Sequence, residues 1–395
     1  MRKLISVGLC ALLCCGCIRY VQHHEYIHSS TPNELEKNAK ISITMDDKKY
    51  ANGLQMLWNK TYPKQKDALL IKIKPTTFHQ HITSDIEWIS DFDVPYKELD
   101  AYRIDKNMKR SDTKAPPNLM RNEKIFVPVS AKGLVFAYNK RLSKSNDVSS
   151  RDFKSMERIQ KIKGNRYYHN RLVEYMYPFL FLDYEPMKKE SVSMDTIFQE
   201  ETFLDNLNDY RALSQDLSLR DDPYDKDHYF QKDRYLCGLV DSAILYQKSD
   251  GNMQVQAMPT LSGKQLSPIV DTYGFIVNKA TSYPNTCLAF LEMVRSFEGM
   301  QMLVDQTTQI PMIAEKNIDK FSIYEVQKKD IILAFNKSQL RSTTVLSEKP
   351  SICIDTIIQE SNMSSNIQNA LYSRESSRLV MEALSKDIKK WSYNQ

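Results

Sequence analysis

Several patterns are missing from this sequence, and each absence excludes a class of protein. Beyond the N-terminal region no stretch is apolar for the roughly 20 residues that a membrane-spanning helix needs. Only Cys237, Cys287 and Cys353 remain outside that region, widely spaced and without a CxxC pair, which excludes a disulfide framework and a zinc site. No GxSxG signature of a hydrolase occurs. We expect the three cysteines to act as small apolar residues in packed elements.

A strong charge of one sign is also absent. The chain has 54 Lys and Arg against 49 Asp and Glu, a formal net charge of +5. Arg2 and Lys3 lie in a segment that we expect to be removed, and without their two charges the mature chain keeps +3. This charge is too small and too dispersed to predict nucleic-acid binding.

Length and composition predict a globular protein with two lobes. Hydrophobic residues make up 42% of the chain and charged residues 26%, which is ordinary for a soluble protein. With 395 residues the chain is too long for one ordinary core. No internal repeat or low-complexity tract occurs.

The N-terminus carries the most specific local signal. A short basic segment precedes an apolar segment, residues 4–15, and then Gly16 and Cys17. This order resembles a bacterial lipoprotein signal, residues 1–16, after which Cys17 is lipidated as the first mature residue. Cys14 stands where such signals usually carry Leu, so Cys15 stays open as the anchor. A plain secretory signal is the alternative.

A tether is predicted for residues 17–38, which are polar and lack periodicity. His23, His24 and His28 lie on it without a neighbouring carboxylate or cysteine, so they do not predict a metal site. No cofactor is expected.

The globular part is predicted to begin with a βαβ unit. Alternating residues predict a strand over 41–45, helical spacing predicts a helix that Pro63 stops, and 69–73 is a second strand. A third strand is predicted over 85–89. Ligands of open α/β sheets gather outside the carboxyl ends of the strands. This rule places four side chains on one rim, namely Asp46, Asp47, Trp88 and Asp91.

The segment from Phe126 to Leu142 is predicted to cross between the two lobes. Pro128 interrupts an extended apolar run, and residues 129–133 are small and flexible before a buried strand resumes over 134–138. We predict two strands with a hinge-like break, and a second break over 258–260. An ordinary strand-loop-strand inside one domain fits this segment equally well.

Aromatic residues crowd between positions 167 and 184. Phe179 and Phe181 are predicted to pack into a core. Tyr175 and Tyr177 lie at the polar end of the run, and their hydroxyls need hydrogen-bond partners.

These segments together resemble the extracellular solute-binding proteins of ABC importers, specifically the maltose-binding-protein-like group. The likeness is carried by 49–54, 85–88, 126–142, 258–263, 296–299, 308–311 and the terminal helix. It implies an α/β, two-lobed periplasmic-binding-protein-like (type II) fold with a hinge and an interlobe ligand cleft. The implied lobes are 39–129 with 259–313, and 130–258 with 314–395.

The resemblance also implies a function. It predicts a lipid-anchored binding protein, not an enzyme, on the extracellular face of the cell membrane, with a small polar solute and an ABC transporter permease as partners. A carbohydrate is the family's default solute. Two alternatives of other classes stay open, a secreted carbohydrate-active hydrolase using Asp46 and Asp91, and a ligand-sensing or adhesive surface lipoprotein.

Matching the family's cleft onto this sequence gives the predicted ligand-binding residues. Asp91 keeps an acidic position that accepts sugar hydroxyls, and Trp88 can stack on a sugar ring. Lys132 stands where the maltose-binding relative carries an acid, so an anionic solute is a further possibility. Pairing between Lys132 and Asp91 on lobe closure is the alternative. The predicted set is Asp46, Trp88, Asp91, Lys132, Tyr175, Tyr177, Tyr246 and Tyr273.

Overall fold

The computed structural model describes most of the globular part of the chain. The described residues are 34–75, 81–90, 94–104, 125–163, 167–168, 175–182, 200–216, 235–243, 252–267, 269–313, 315–321, 326–337, 341–342, 344–345, 352–353 and 376–392.

Strands and helices alternate along much of the chain. The strands are β1 (Ile41–Met45), β2 (Leu69–Ile73), β3 (Ile86–Ser90), β4 (Phe126–Asn139), β5 (Tyr167–Tyr168), β6 (Cys237–Asp241), β7 (Met253–Gln256), β8 (Thr260–Leu261), β9 (Lys264–Gln265), β10 (Ile269–Val277), β11 (Ile310–Pro311), β12 (Arg341–Ser342), β13 (Thr344–Val345) and β14 (Ile352–Cys353). The α helices are α1 (Lys48–Thr61), α2 (Val94–Lys97), α3 (Lys140–Ser145), α4 (Met156–Lys161), α5 (Tyr177–Leu180), α6 (Glu201–Asp216), α7 (Pro284–Val294), α8 (Phe297–Gln306), α9 (Val326–Lys337) and α10 (Ser377–Ser392).

The main sheet follows the order β2-β1-β3-β10-β4-β6-β5. β1 pairs in parallel with β2 and with β3, whereas β10 runs antiparallel to β3 and β4. Helix α1 connects β1 to the parallel strand β2, which confirms the predicted βαβ unit. The third strand begins one residue later than predicted, at Ile86.

Helix α1 forms because its capping residue and the spacing of its apolar residues both favour a helix over the same segment. The Asp47 carboxylate caps the helix by accepting a hydrogen bond from the Tyr50 backbone N–H at 2.9 Å. The apolar positions at helical spacing are buried, namely Tyr50, Leu54, Leu57 and Trp58. The helix ends at Thr61, and Pro63 begins a separate 3-10 turn, as predicted.

Strand β4 is one continuous 14-residue strand, so the predicted break within it is wrong. Up to Gly133 it pairs with β10, and from Leu134 it pairs with β6. The small residues before Gly133 therefore mark a change of partner and not a gap in the strand. We call β2, β1, β3, β10 and β4 up to Gly133 the first sheet section. The second sheet section is β4 from Leu134 with β5, β6 and β7.

The irregularity that Pro128 introduces is absorbed by a shift of register. Tyr273 of β10 lies opposite Ser130, but the next residue, Gly274, lies opposite Pro128. A bulge of this kind accommodates a proline that cannot donate to the ladder. Gly274 is required here because a Cβ at this position would lie 2.1 Å from the Val127 carbonyl oxygen.

The main hydrophobic core covers one face of the first sheet section and continues into the second sheet section. Helices α1 and α8 approach so closely that a Cβ on Gly53 would meet the Met302 side chain. The opposite face has a smaller separate cluster made of Ile82, Ile89, Val94, Ala101, Ile125, Phe126 and Ile276. Both faces are thus buried, which fits the uniformly buried β3.

Residues 34–38, predicted as part of the tether, already contact the globular part. The Glu36 carboxylate accepts hydrogen bonds from the backbone N–H groups of Asn285, at 2.7 Å, and Thr286, at 2.8 Å. The Thr286 hydroxyl adds a third at 2.5 Å. A carboxylate at the start of α7 satisfies free N–H groups at the positive end of the helix dipole.

The described cysteine side chains confirm their predicted role. Cys237 and Cys287 are both free and buried, and burial raises the pKa of each thiol. In the described ranges, every helix is too short or too polar to span a membrane.

Candidate functional site

Three strand ends meet at one edge of the first sheet section. β1 and β3 are parallel and end on the same side, where the antiparallel β10 begins. Tyr273 lies opposite Ser90, the last residue of β3, and opposite Ser130 in β4. Lys132 follows two residues later and lies opposite Asp271. Directly opposite residues, and residues two apart on one strand, lie on the same face of a sheet. The side chains that therefore project from one face are Ser90, Ser130, Lys132, Asp271 and Tyr273.

Two aromatic rings and one ammonium group form a stack at this edge. The Lys132 Nζ lies 4.5 Å from the centre of the Tyr273 ring. The Tyr273 ring in turn stacks on Trp88 with 6.1 Å between centroids and 18° between planes. We call Trp88, Tyr273 and Lys132 the rim cluster. The structure thus brings together three of the residues that the sequence predicts to bind ligand.

The Lys132 ammonium is half-buried and touches an aromatic face. Among the described residues no carboxylate lies within ion-pair distance of it, although Asp271 occupies the position opposite on β10. A cation over a tyrosine ring is attracted by the ring quadrupole, but the ring satisfies none of its three N–H donors. Toward the described part of the chain, Lys132 therefore keeps its hydrogen-bonding capacity at the edge of the sheet.

Trp88 lies at the inner end of the stack and is only 3% exposed. Its ring also packs edge-on against Phe275, at 4.9 Å, and Tyr50, at 5.9 Å. In the described conformation its faces are covered by protein, so the half-buried Tyr273 is the ring closest to the edge. The register explains this order, since Trp88 pairs with Phe275, two residues further into the sheet.

Two polar atoms beside this stack are buried without a hydrogen bond from the described part of the chain. They are the Trp88 indole nitrogen and the Tyr50 hydroxyl. Burial, and then the nearby Asp47 charge, raise the pKa of Tyr50, so the hydroxyl is neutral. In the sequence, Tyr50 fits the apolar face of α1 by its helical spacing, and no local pattern marks its hydroxyl as unsatisfied. The available signal was the choice of tyrosine: a phenylalanine would fill the same apolar position, so the extra hydroxyl is not needed for packing.

Asp46 and Asp47 follow β1 at the same edge, as predicted. Asp47 is used as the cap of α1. Asp46 is half-buried, and one of its carboxylate oxygens is shielded from solvent.

A second segment reaches the edge that the sequence did not predict to lie there. The short strand β11 pairs with β4 at Ala131 and Ser130. The Ser130 hydroxyl hydrogen-bonds to the Gln309 side-chain oxygen, and both residues are buried. No local pattern distinguishes Gln309, because its position depends on pairing between segments 179 residues apart.

A buried ion pair supports β3 on the face away from Trp88. The Lys97 Nζ lies 2.5 Å from the Glu87 carboxylate, and the Thr83 N–H donates to the same carboxylate at 2.7 Å. Burial favours a higher pKa for Glu87, but the Lys97 and Thr83 hydrogen bonds and the Lys97 charge outweigh it and lower the pKa. Glu87 is therefore a charged structural group.

Tyr175 and Tyr177 lie elsewhere, in a second aromatic cluster beside the second sheet section. Tyr175 is 8% and Tyr177 2% exposed, and both belong to the main core. Tyr175 packs edge-on against Tyr168, and Tyr177 against Phe181. The second aromatic cluster consists of Tyr168, Tyr175, Tyr177, Phe179, Phe181, Phe203 and Tyr210. The prediction that Phe179 and Phe181 pack into a core is confirmed.

Three predicted residues, Asp91, Tyr246 and Cys17, lie outside the described residues. Within the described ranges, no group of three or more His, Cys, Asp or Glu side chains is placed to hold a metal ion.

Comparison with known proteins agrees with this architecture. A sequence model of the family of bacterial extracellular solute-binding proteins matches residues 83–318, more than half of the chain. The match includes the rim cluster and every strand from β3 to β11. No curated protein matches the chain. The family and the large mixed sheet confirm the predicted two-lobed, periplasmic-binding-protein-like α/β fold. The chain belongs to the bacterial extracellular solute-binding protein family.

Proposed function

We propose that this protein captures a small polar solute between its lobes and delivers it to the permease of an ABC transporter. The observation that carries the proposal is the course of β4. This single strand leaves the first sheet section at Gly133 and enters the second at Leu134, directly after the rim cluster. A solute bound at this edge would lie beside the segment that connects the two sections.

The mechanism follows from differential affinity. A solute that contacts both lobes only when they are closed stabilises the closed state by the difference between its affinities for the two states. Shifting the equilibrium from 1:99 to 99:1 requires about a 10⁴-fold difference in affinity. The permease then recognises the closed form. No step makes or breaks a covalent bond, so we propose a binding protein and not an enzyme.

The proposed lobes are 39–129 with 259–313, and 130–258 with 314–395. The change of strand partner after Gly133 supports a boundary close to the first of these limits. A carbohydrate is the proposed class of solute, because it is the default solute of the maltose-binding-protein-like group that the sequence resembles.

Thermal shift and solution scattering test this function together. We expect one or more compounds from a panel of neutral sugars, acidic sugars, sugar phosphates and amino acids to raise the melting temperature. The same compound should reduce the radius of gyration as the lobes close. A panel without any stabilising compound, or a stabilising compound that leaves the scattering unchanged, would contradict the proposed mechanism.

We also propose that Cys17 carries a lipid that holds the protein on the extracellular face of the cell membrane. The supporting observation is the basic and apolar N-terminal segment that ends in Gly16 and Cys17. Cys17→Ala should move the protein from the membrane fraction to the medium. Cys15→Ala is the matched control and should leave it in the membrane fraction. Retention of the Cys17 variant would refute this assignment.

A further inference from the structure

The rim cluster ends in a cation whose charge the described residues do not neutralise. Lys132 is half-buried, its Nζ lies 4.5 Å from the Tyr273 ring centre, and it has no ion pair within the described part of the chain. Withdrawing a lysine from water has a cost, and contact with a ring recovers only part of it. An anionic group on the solute would recover the rest through charge-assisted hydrogen bonds.

A second donor of the rim cluster, at its buried end, also lacks an acceptor among the described residues. The Trp88 indole N–H can only donate, and it is buried without an acceptor in the described structure. The Ser130 hydroxyl already engages Gln309. The negative position nearest in register is Asp271, on the strand opposite Lys132. This carboxylate would repel an anion, so the anionic group must approach the Lys132 Nζ from the side away from Asp271.

On these grounds we infer that the solute carries a carboxylate or phosphate group and that Lys132 binds it. The inference rests on the proposed solute-binding function and narrows its ligand class from polar to anionic. Tyr273 would contact the body of the solute with the part of its side chain that Lys132 and Trp88 leave exposed, because Tyr273 is only half-buried. The hydroxyl oxygens of a neutral sugar can accept hydrogen bonds from the ammonium, but they carry no negative charge to compensate it.

A set of matched compounds separates the candidate groups. Glucose, glucuronate and glucose 6-phosphate share one ring and differ in the absence or kind of charge, and inorganic phosphate tests the charged group alone. We expect an anionic member, and not glucose, to raise the melting temperature of the full chain. Stabilisation by glucuronate or by glucose 6-phosphate identifies the anionic group as carboxylate or phosphate.

Variants then assign the effect to Lys132. Titration calorimetry with the stabilising compound should give a dissociation constant about 10- to 100-fold higher for Lys132→Gln, the loss expected for a hydrogen bond between charged groups. Lys132→Arg keeps the charge and should retain most of the affinity. Lys144→Gln removes an exposed charge from α3 and is the matched control, with no expected change.

The outcomes distinguish this inference from the proposed function. If a neutral sugar stabilises the wild type and Lys132→Gln equally, the anionic ligand class is wrong and solute binding stands. If an anionic compound binds both forms equally, Lys132 is not its binding group and the inference fails. If no compound of either charge stabilises the protein, both the function and the inference are contradicted.

Discussion

The rim cluster and the second aromatic cluster use the same types of ring in different surroundings. In the second cluster Phe179 packs on Tyr210 at 4.7 Å and Phe181 packs on Phe203 at 5.7 Å, and all four are at most 2% exposed. The rim stack instead runs from a buried tryptophan through a half-buried tyrosine to a charged lysine. Both clusters are rich in aromatic rings, but a charged side chain belongs to the rim cluster and not to the second aromatic cluster. This charged group, at the end of a sheet, is the reason that we propose the rim cluster as the site of solute binding.

The largest expected effect is on stability, in the second aromatic cluster. Phe181→Ala should lower the free energy of unfolding by about 3–5 kcal/mol, because it leaves a cavity in a packed core. Urea denaturation measures this loss, and Leu379→Ala, at a position 61% exposed, is the control with about 0.5 kcal/mol or less. Solute affinity should be unchanged in the folded fraction. A loss below 1 kcal/mol would mean that this cluster is not a structural core.

A smaller effect on stability is expected beneath the rim cluster, at Glu87. Glu87→Gln should cost about 1–3 kcal/mol near neutral pH, since it removes the charge that compensates the buried Lys97. The pKa of Glu87 is lowered in the folded state, so its stabilising contribution is present above the unfolded pKa and is lost as pH falls through the folded pKa.

The pH dependence provides the control for this prediction. Urea denaturation at a series of pH values from 7 down to 3 should show a steeper acid loss for the wild type than for Glu87→Gln. Asp152 and Glu157 also have lowered pKa values and remain in both proteins, so some acid dependence persists. Parallel pH profiles would show that Glu87 is not held in its charged form by Lys97.

The smallest stability effect is expected at Tyr273, where the proposed functional effect is largest. Tyr273→Ala should cost about 0.5–1.5 kcal/mol, the value of an aromatic pair at a partly open site. It should nevertheless abolish the ligand-induced rise in melting temperature. Tyr273→Phe keeps the ring and should preserve that rise. If Tyr273→Ala binds as well as the wild type while remaining folded, the rim cluster is not the binding site.

Interactions between residues close in sequence made the first βαβ unit of the fold predictable. Strand β1, helix α1 and β2 follow from alternation, helical spacing and Pro63, all of which act within a few residues. The Asn139 cap of α3 and the Ser296 cap of α8 likewise depend on a side chain and an N–H three residues later. Such signals survive because tertiary packing does not oppose them.

The continuity of β4 and the composition of the rim required the structure. Pro128 and Gly133 normally end a strand, but pairing with β10 on one side, through a bulge at Gly274, overrides that local preference. The contact between Ser130 and Gln309 depends on the same long-range pairing. For the proposed site, the sequence predicted Trp88, Lys132 and Tyr273, whereas only the structure showed that Trp88 is buried and that Tyr273 and Lys132 are half-buried.

The contact between Glu36 and the start of α7 has a mechanical consequence. Three hydrogen bonds join this residue to Asn285 and Thr286, on the side of the molecule that carries β1 and α1. A pull on the preceding residues would therefore be transmitted into α7 before it reached the sheet. If the protein is held at its N-terminus, the proposed lobe that contains α7 stays fixed. Lobe closure would then move the other proposed lobe relative to the surface that holds the chain.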